Sequence, residues 1–144
     1  MTNLESGSRG EKYHHGNLYS SLLSSALKAL ENGRLAQLSL RSLARECGVS
    51  QTAPYRHFAS KEHLLALLAE NGADKLLNIL QDERRKTTDV QQCLENMSTA
   101  YLNFAVVNSA YFQLIFNARM VDRYKFPSLL RCLHKFEAVF AEPI

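Results

Sequence analysis

An all-α chain is what this sequence predicts, on three observations. Apolar residues recur at helical spacing almost throughout its 144 positions, and no stretch alternates apolar with polar long enough to be a strand. Helix breakers are sparse, with 3 Pro and 6 Gly. Three serines suited to N-capping, Ser39, Ser50 and Ser60, punctuate one compact stretch.

In chain order, Met1 to Lys12 is polar and aperiodic and reads as a loose arm that includes Ser6-Gly7-Ser8. Leu18, Leu22, Ala26, Ala29 and Leu30 mark one face of a first helix, with Asn17 as its cap and Asn32-Gly33 as its stop. Ser39 can cap a second, short helix that ends where Gly48 takes a left-handed conformation. Ser50 can cap a third, Gln51 to His57, and Ser60 a fourth that starts at Lys61. The fourth carries Leu64, Leu68, Leu76 and Leu80 in one row and Leu65, Ala69, Ala73 and Leu77 in the next, a stripe wide enough for two neighbours that runs to about Arg85. Thr88-Asp89 starts a fifth helix with Val90, Cys93, Leu94, Met97, Tyr101, Phe104 and Ala105 inward, and Asn108-Ser109 caps a sixth bearing Phe112, Ile115 and Phe116. Pro127 suits the first turn of a seventh, whose inward face is Leu129, Leu133, Phe136 and Phe140.

Charge and composition narrow the function classes. The longest apolar run, Leu64 to Ala69, is far short of the roughly 20 residues that span a bilayer, so no membrane partner is expected and the chain reads as cytoplasmic. Cys47, Cys93 and Cys132 are odd in number and far apart, which suits reduced core thiols. The net charge of +3 is unevenly spread. Up to Lys61 there are eight cations (Arg9, Lys12, Lys28, Arg34, Arg41, Arg45, Arg56 and Lys61) against Glu5, Glu11, Glu31 and Glu46, while the remainder is slightly acidic. A polyanion is therefore expected at the N-terminal part.

Two short helices joined by a Gly-containing turn form a helix-turn-helix, whose second helix enters the DNA major groove. Small Ala44 lets the helices approach, Gly48 makes the turn, and Leu43, Cys47 and Val49 lock the angle. The polar residues of Gln51 to His57 then point outward as a unit. Gln51 and Thr52 can reach base edges, and Tyr55, Arg56 and His57 can reach phosphates. Capped helix starts aim free N–H groups outward, with Arg41 just after Ser39 and Lys61 just after Ser60, so both flanks suit phosphate.

These residues also resemble a known family. Leu43-Ala44-Arg45-Glu46-Cys47-Gly48-Val49-Ser50, Tyr55-Arg56-His57-Phe58 and Lys61-Glu62-His63-Leu64-Leu65 look like the DNA-binding domain of TetR/AcrR bacterial transcription regulators. Tyr13 to Leu18 and Ser109 to Phe116 resemble one branch of it. The resemblance implies a three-helix helix-turn-helix domain over 1–60, joined by a long connector helix to a helical regulatory domain over 61–144. It places Gln51, Thr52 and Ala53 at the bases, Tyr55, His57 and Lys61 at phosphates, and Arg41 in support. Pro54 replaces the family's usual aliphatic residue. The family's partners would be duplex DNA, a second copy of the chain and a small-molecule effector. Its two long C-terminal dimerisation helices are expected to be missing from this shortened chain.

Plainer readings stand beside these. On spacing alone, Leu43, Ala44, Gly48 and Val49 also fit a plain helical hairpin in a core, and Tyr55 a core tyrosine. The aromatics of the second half fit core packing as well as an effector pocket. Cys132 and His134 have no partners at zinc spacing, and no nucleophile–base pair or phosphate loop is present, so no metal, cofactor or catalytic residue is assigned. The expected function is a sequence-specific DNA-binding regulator, which the family resemblance implies is a ligand-released repressor dimeric on a palindrome. The alternative is a truncated regulator that acts as a protein-interaction module without tight DNA binding.

Overall fold

The first helix, α1 (His14–Glu31), starts earlier than the sequence suggested. Asn17 lies inside it rather than capping it, and the helix takes in His14 and His15. The structure, a computed structural model, describes residues 14–141, so the arm expected over Met1–Lys12 lies outside the described residues. Backbone contacts gather the chain into two units, Met1–Ala59 and Ser60–Ile144.

In the first unit, α1 buries Leu18, Leu22, Leu23, Ala26 and Ala29, the expected face with Leu23 added and Leu30 only half-buried. It stops at Asn32-Gly33 as expected. Gly33 takes φ +68°, its N–H donates to Leu30 C=O (3.0 Å), and Arg34 N–H donates to Ala29 C=O (2.7 Å). This doubly bonded left-handed stop satisfies carbonyls that the helix end would orphan. A three-residue 3₁₀ turn, Leu35–Gln37, follows; it is too short to show any periodicity in sequence.

Next comes α2 (Leu40–Glu46), held at its start by a reciprocal cap. Ser39 Oγ accepts from Ser42 N–H (3.0 Å), and Ser42 Oγ accepts from Ser39 N–H (2.9 Å). Its end repeats the device of α1: Gly48 at φ +67°, Gly48 N–H to Arg45 C=O (3.2 Å) and Val49 N–H to Ala44 C=O (3.0 Å). Leu40, Leu43 and Ala44 face the core of this unit with Leu38, Ala53, Pro54 and Phe58.

The second unit is built around α3 (Lys61–Arg85), 25 residues or about 37 Å long. Every residue of the two expected rows is buried, together with Ala66 and Gly72. Such a wide apolar face takes three neighbours rather than two: α4 (Val90–Val107), α5 (Ser109–Phe116) and α6 (Pro127–Ala141). Asp89 caps α4 by accepting from Gln92 N–H (2.8 Å), and Pro127 opens α6. Asn108 precedes α5 without a side-chain cap bond.

The inward face of α4 is narrower than expected. Cys93, Met97 and Phe104 are buried, Tyr101 and Ala105 are half-buried, and Val90 and Leu94 are 54% and 49% exposed. On α6, Leu129 and Leu133 are buried but Phe140 is exposed. The apolar stripes are wider than the helices packed on them. Tyr101, Phe112, Phe116, Phe136 and Phe140 form a chain of edge-on and tilted rings with centroids 4.7 to 6.2 Å apart. No helix among the described residues is long and apolar enough to cross a membrane.

Candidate nucleic-acid interface

The segment after the Gly48 turn differs from the helix expected over Gln51–His57. Gln51 and Thr52 form a turn, and Ala53–Arg56 is a 3₁₀ turn. Pro54 is the physical cause. Without an N–H it cannot donate to Ser50 C=O, and its ring opposes an α-helical carbonyl four residues back. Ser50 C=O is taken instead by Ala53 N–H (3.1 Å), and Thr52 C=O by Tyr55 N–H (3.1 Å), both three-residue closures. Only at the end does Phe58 N–H reach Pro54 C=O (3.0 Å) across four residues.

The side chains of this segment sort cleanly into two sets. Pro54 and Phe58 are fully buried and Ala53 is 9% exposed, so the apolar members brace the turn from below. Gln51, Thr52, Tyr55 and Arg56 face solvent, with Tyr55 54% exposed. Ala53, expected beside Gln51 and Thr52 at the bases, is thus in the packed set. Tyr55 is not a core tyrosine.

His57 is half-buried at the edge of this face. Its ring meets Tyr19 of α1 edge-on at 5.7 Å, and Tyr19 stacks on Phe58 at 5.4 Å. Tyr19 was missed in the sequence because it falls outside the main apolar row of α1. Its ring packs against both His57 and Phe58.

The three serines do not all behave alike. Ser39 and Ser60 cap as expected, Ser60 Oγ accepting from His63 N–H (3.1 Å). Ser50 does not: its hydroxyl lies 3.4 Å from that of Thr52, and its place as a helix cap disappears with the helix. Arg41 is exposed one residue into α2. Across the same unit, Arg34 Nη1 and Glu46 Oε1 are 3.8 Å apart, an exposed pair of little energetic weight. Lys61, half-buried, belongs to the second unit, where it opens α3.

Residues 22–68 match the tetR family of bacterial regulatory proteins. The chain carries a tetR-family domain. That match runs from the buried face of α1 through α2, the glycine turn and the 3₁₀ turn into the first turns of α3, so it contains every residue named above except Tyr19. The match lies on the helix-turn-helix region of this chain, and the family it names is one of DNA-binding transcription regulators. The chain is also similar to a solved structure of a protein of unknown function from Rhodococcus sp. RHA1. The two share 26% identity with a TM-score of 0.64, over 91% of this chain and 83% of the other.

Proposed function

We propose that this chain is a sequence-specific repressor that acts as a cytoplasmic homodimer on a palindromic operator and is released by a small molecule bound in its second unit. The observation that supports this reading best is the split within residues 51–58. Gln51, Thr52, Tyr55 and Arg56 project from a turn whose underside is packed solid, so they are presented on a rigid base. Gln51 and Thr52 read base edges; Tyr55, Arg56 and His57 hold phosphates, with Arg41 and Lys61 as flanking anchors. Ser39 and Ser60 serve through their helix caps.

A single copy makes few contacts, so tight binding requires two copies whose reading turns lie roughly 34–36 Å apart, in successive major grooves. A ligand that alters this spacing lowers affinity for DNA and, by linkage, DNA lowers affinity for the ligand.

The test is binding to a duplex from the region upstream of its own reading frame. Tyr55→Ala and Lys61→Ala are each expected to weaken binding about tenfold, and Lys61→Ala to lower the salt slope by about 1. Wild-type affinity in both would remove the assigned anchors.

A second reading is favoured by the apolar side chains left open on α4 and α6. Val90, Leu94, Leu102, Val106 and Phe140 are all exposed, and Ser98, Tyr101, Leu102, Phe136 and Phe140 line an apolar groove of about 410 Å³. Such a surface suits a protein-interaction module. Light scattering separates the two: a dimer that shifts a palindromic duplex supports the repressor, and a monomer without DNA affinity supports the module.

A further inference from the structure

The first turn of α3 is tied down from outside the helix. The segment between α5 and α6, residues 117–126, crosses back to it. Asp122 N–H donates to Glu62 Oε1 (3.4 Å), Lys125 Nζ stands 3.8 Å from Glu62 Oε2, and the Phe126 ring lies parallel to the His63 imidazole, 4° from coplanar at 6.2 Å. Val121, at the head of these contacts, is 3% exposed. Asp122 Oδ1 accepts from Tyr124 N–H (3.1 Å), which closes the 3₁₀ turn Arg123–Lys125 and sets Lys125 towards Glu62.

A helix start is the part most prone to fray, because its first N–H groups lack intrahelical partners. Here Ser60 caps the turn from within while Glu62 and His63 are held from the α5–α6 side. Lys61 sits between these tethered residues.

We infer that Glu62 and Phe126 are positioning residues for the DNA anchor at Lys61, acting through a strap formed by residues 121–126. The inference rests on the DNA-binding reading of Lys61. Neither residue needs to touch DNA: the strap keeps the first turn wound, and the wound turn holds the lysine at one place. Because Phe126 directly precedes Pro127, a shift of α6 that lifts Phe126 from His63 slackens the turn that carries Lys61. The strap is thereby a route by which the helical unit tunes phosphate binding.

A mixed-sequence duplex at low salt is a sufficient probe, because a phosphate contact does not depend on the operator. Anisotropy titrations of the full chain compare Lys61→Ala, Glu62→Gln and Phe126→Ala with Glu83→Gln, which removes the same charge and breaks the Lys86–Glu83 pair (2.6 Å) near the other end of α3. By charge alone Glu62→Gln should tighten binding. The strap requires the opposite: Glu62→Gln and Phe126→Ala weaken binding by about three- to tenfold, with no further loss in a Lys61→Ala background. Glu83→Gln binds as wild type or slightly tighter. Should Phe126→Ala unfold the chain, Phe126→Leu carries the measurement.

Binding by Glu62→Gln at or above wild-type strength overturns the inference, as does an undiminished loss in the Lys61→Ala background. If Lys61→Ala itself binds like wild type, the DNA reading of Lys61 falls and takes the strap with it. If Lys61→Ala weakens binding while the strap variants do not, only the strap falls.

Discussion

Gly72 of α3 lies directly against Tyr111 of α5: a Cβ on Gly72 would stand 2.6 Å from Tyr111 Cδ1 and 2.9 Å from its Cβ. The second of these atoms cannot swing away without its backbone. Lys75 Nζ, one turn further along α3, sits 5.1 Å from the centre of the same ring.

Gly72→Ala is therefore expected to force α3 and α5 apart. Overpacking costs about 1–3 kcal/mol, and the better helix propensity of alanine returns up to about 1 kcal/mol. The net loss, about 1–2 kcal/mol, corresponds to a melting temperature lower by several degrees. Urea and thermal melts check this. Tyr111→Ala should restore part of the loss in the double variant, because it removes Cδ1 but keeps Cβ; a Gly72→Ala protein as stable as wild type would show that the contact yields freely.

Gly48 tests the turn in a different way. A Cβ there meets nothing within 4 Å, so only its φ of +67° opposes a side chain. Gly48→Ala should cost about 1–2 kcal/mol, and Gly48→Asn clearly less, because asparagine enters the left-handed region more easily. Denaturant melts of the two variants give the order. Equal stability of Gly48→Ala and wild type would mean that α2 ends by some other means.

Pro54 accounts for the missing third α-helix. Pro54→Leu keeps an apolar side chain at this buried site and restores the amide, so an i to i−4 bond to Ser50 C=O becomes available. Backbone chemical shifts over residues 51–57 are expected to move towards α-helical values, with stability changed by less than about 1.5 kcal/mol. Shifts that remain those of a 3₁₀ turn would put the cause elsewhere in the segment.

Cys132 gives a pH prediction. Its Sγ donates to Asp74 Oδ1 (3.4 Å), and burial first, then the Asp74 hydrogen bond and charge, push the thiol up from 9.0 to about 11. A folded-state value above the unfolded one means a contribution fully present below pH 9 and lost as pH rises towards 11. Melting temperature should therefore fall over that window more steeply in wild type than in Cys132→Ala. Parallel pH profiles would contradict the assignment.

Much of this was legible in the sequence, for local reasons. Ser39, Ser60, Asp89, Gly33 and Gly48 mark helix ends through short-range hydrogen bonding and backbone conformation, and each end lies where such residues put it. The two leucine rows of α3 were readable because they are buried on nearly every side. What was not legible depends on non-local or competing effects. Pro54 outweighed the cap at Ser50, Val90 and Leu94 follow the helical period without a neighbour to cover them, and the Glu62–Asp122 contact joins residues 60 positions apart. In residues 51–58, the polar pattern indicated an outward face but not which of Gln51, Thr52 and Ala53 would be turned inward.

The two sets of side chains within residues 51–58 have an evolutionary consequence. Ala53, Pro54 and Phe58 bear the folding load, while Gln51, Thr52, Tyr55 and Arg56 contribute almost nothing to the interior. Mutational drift on the outer set is thus nearly invisible to selection for stability. A lineage that carries this scaffold can exchange those four side chains without passing through an unfolded ancestor.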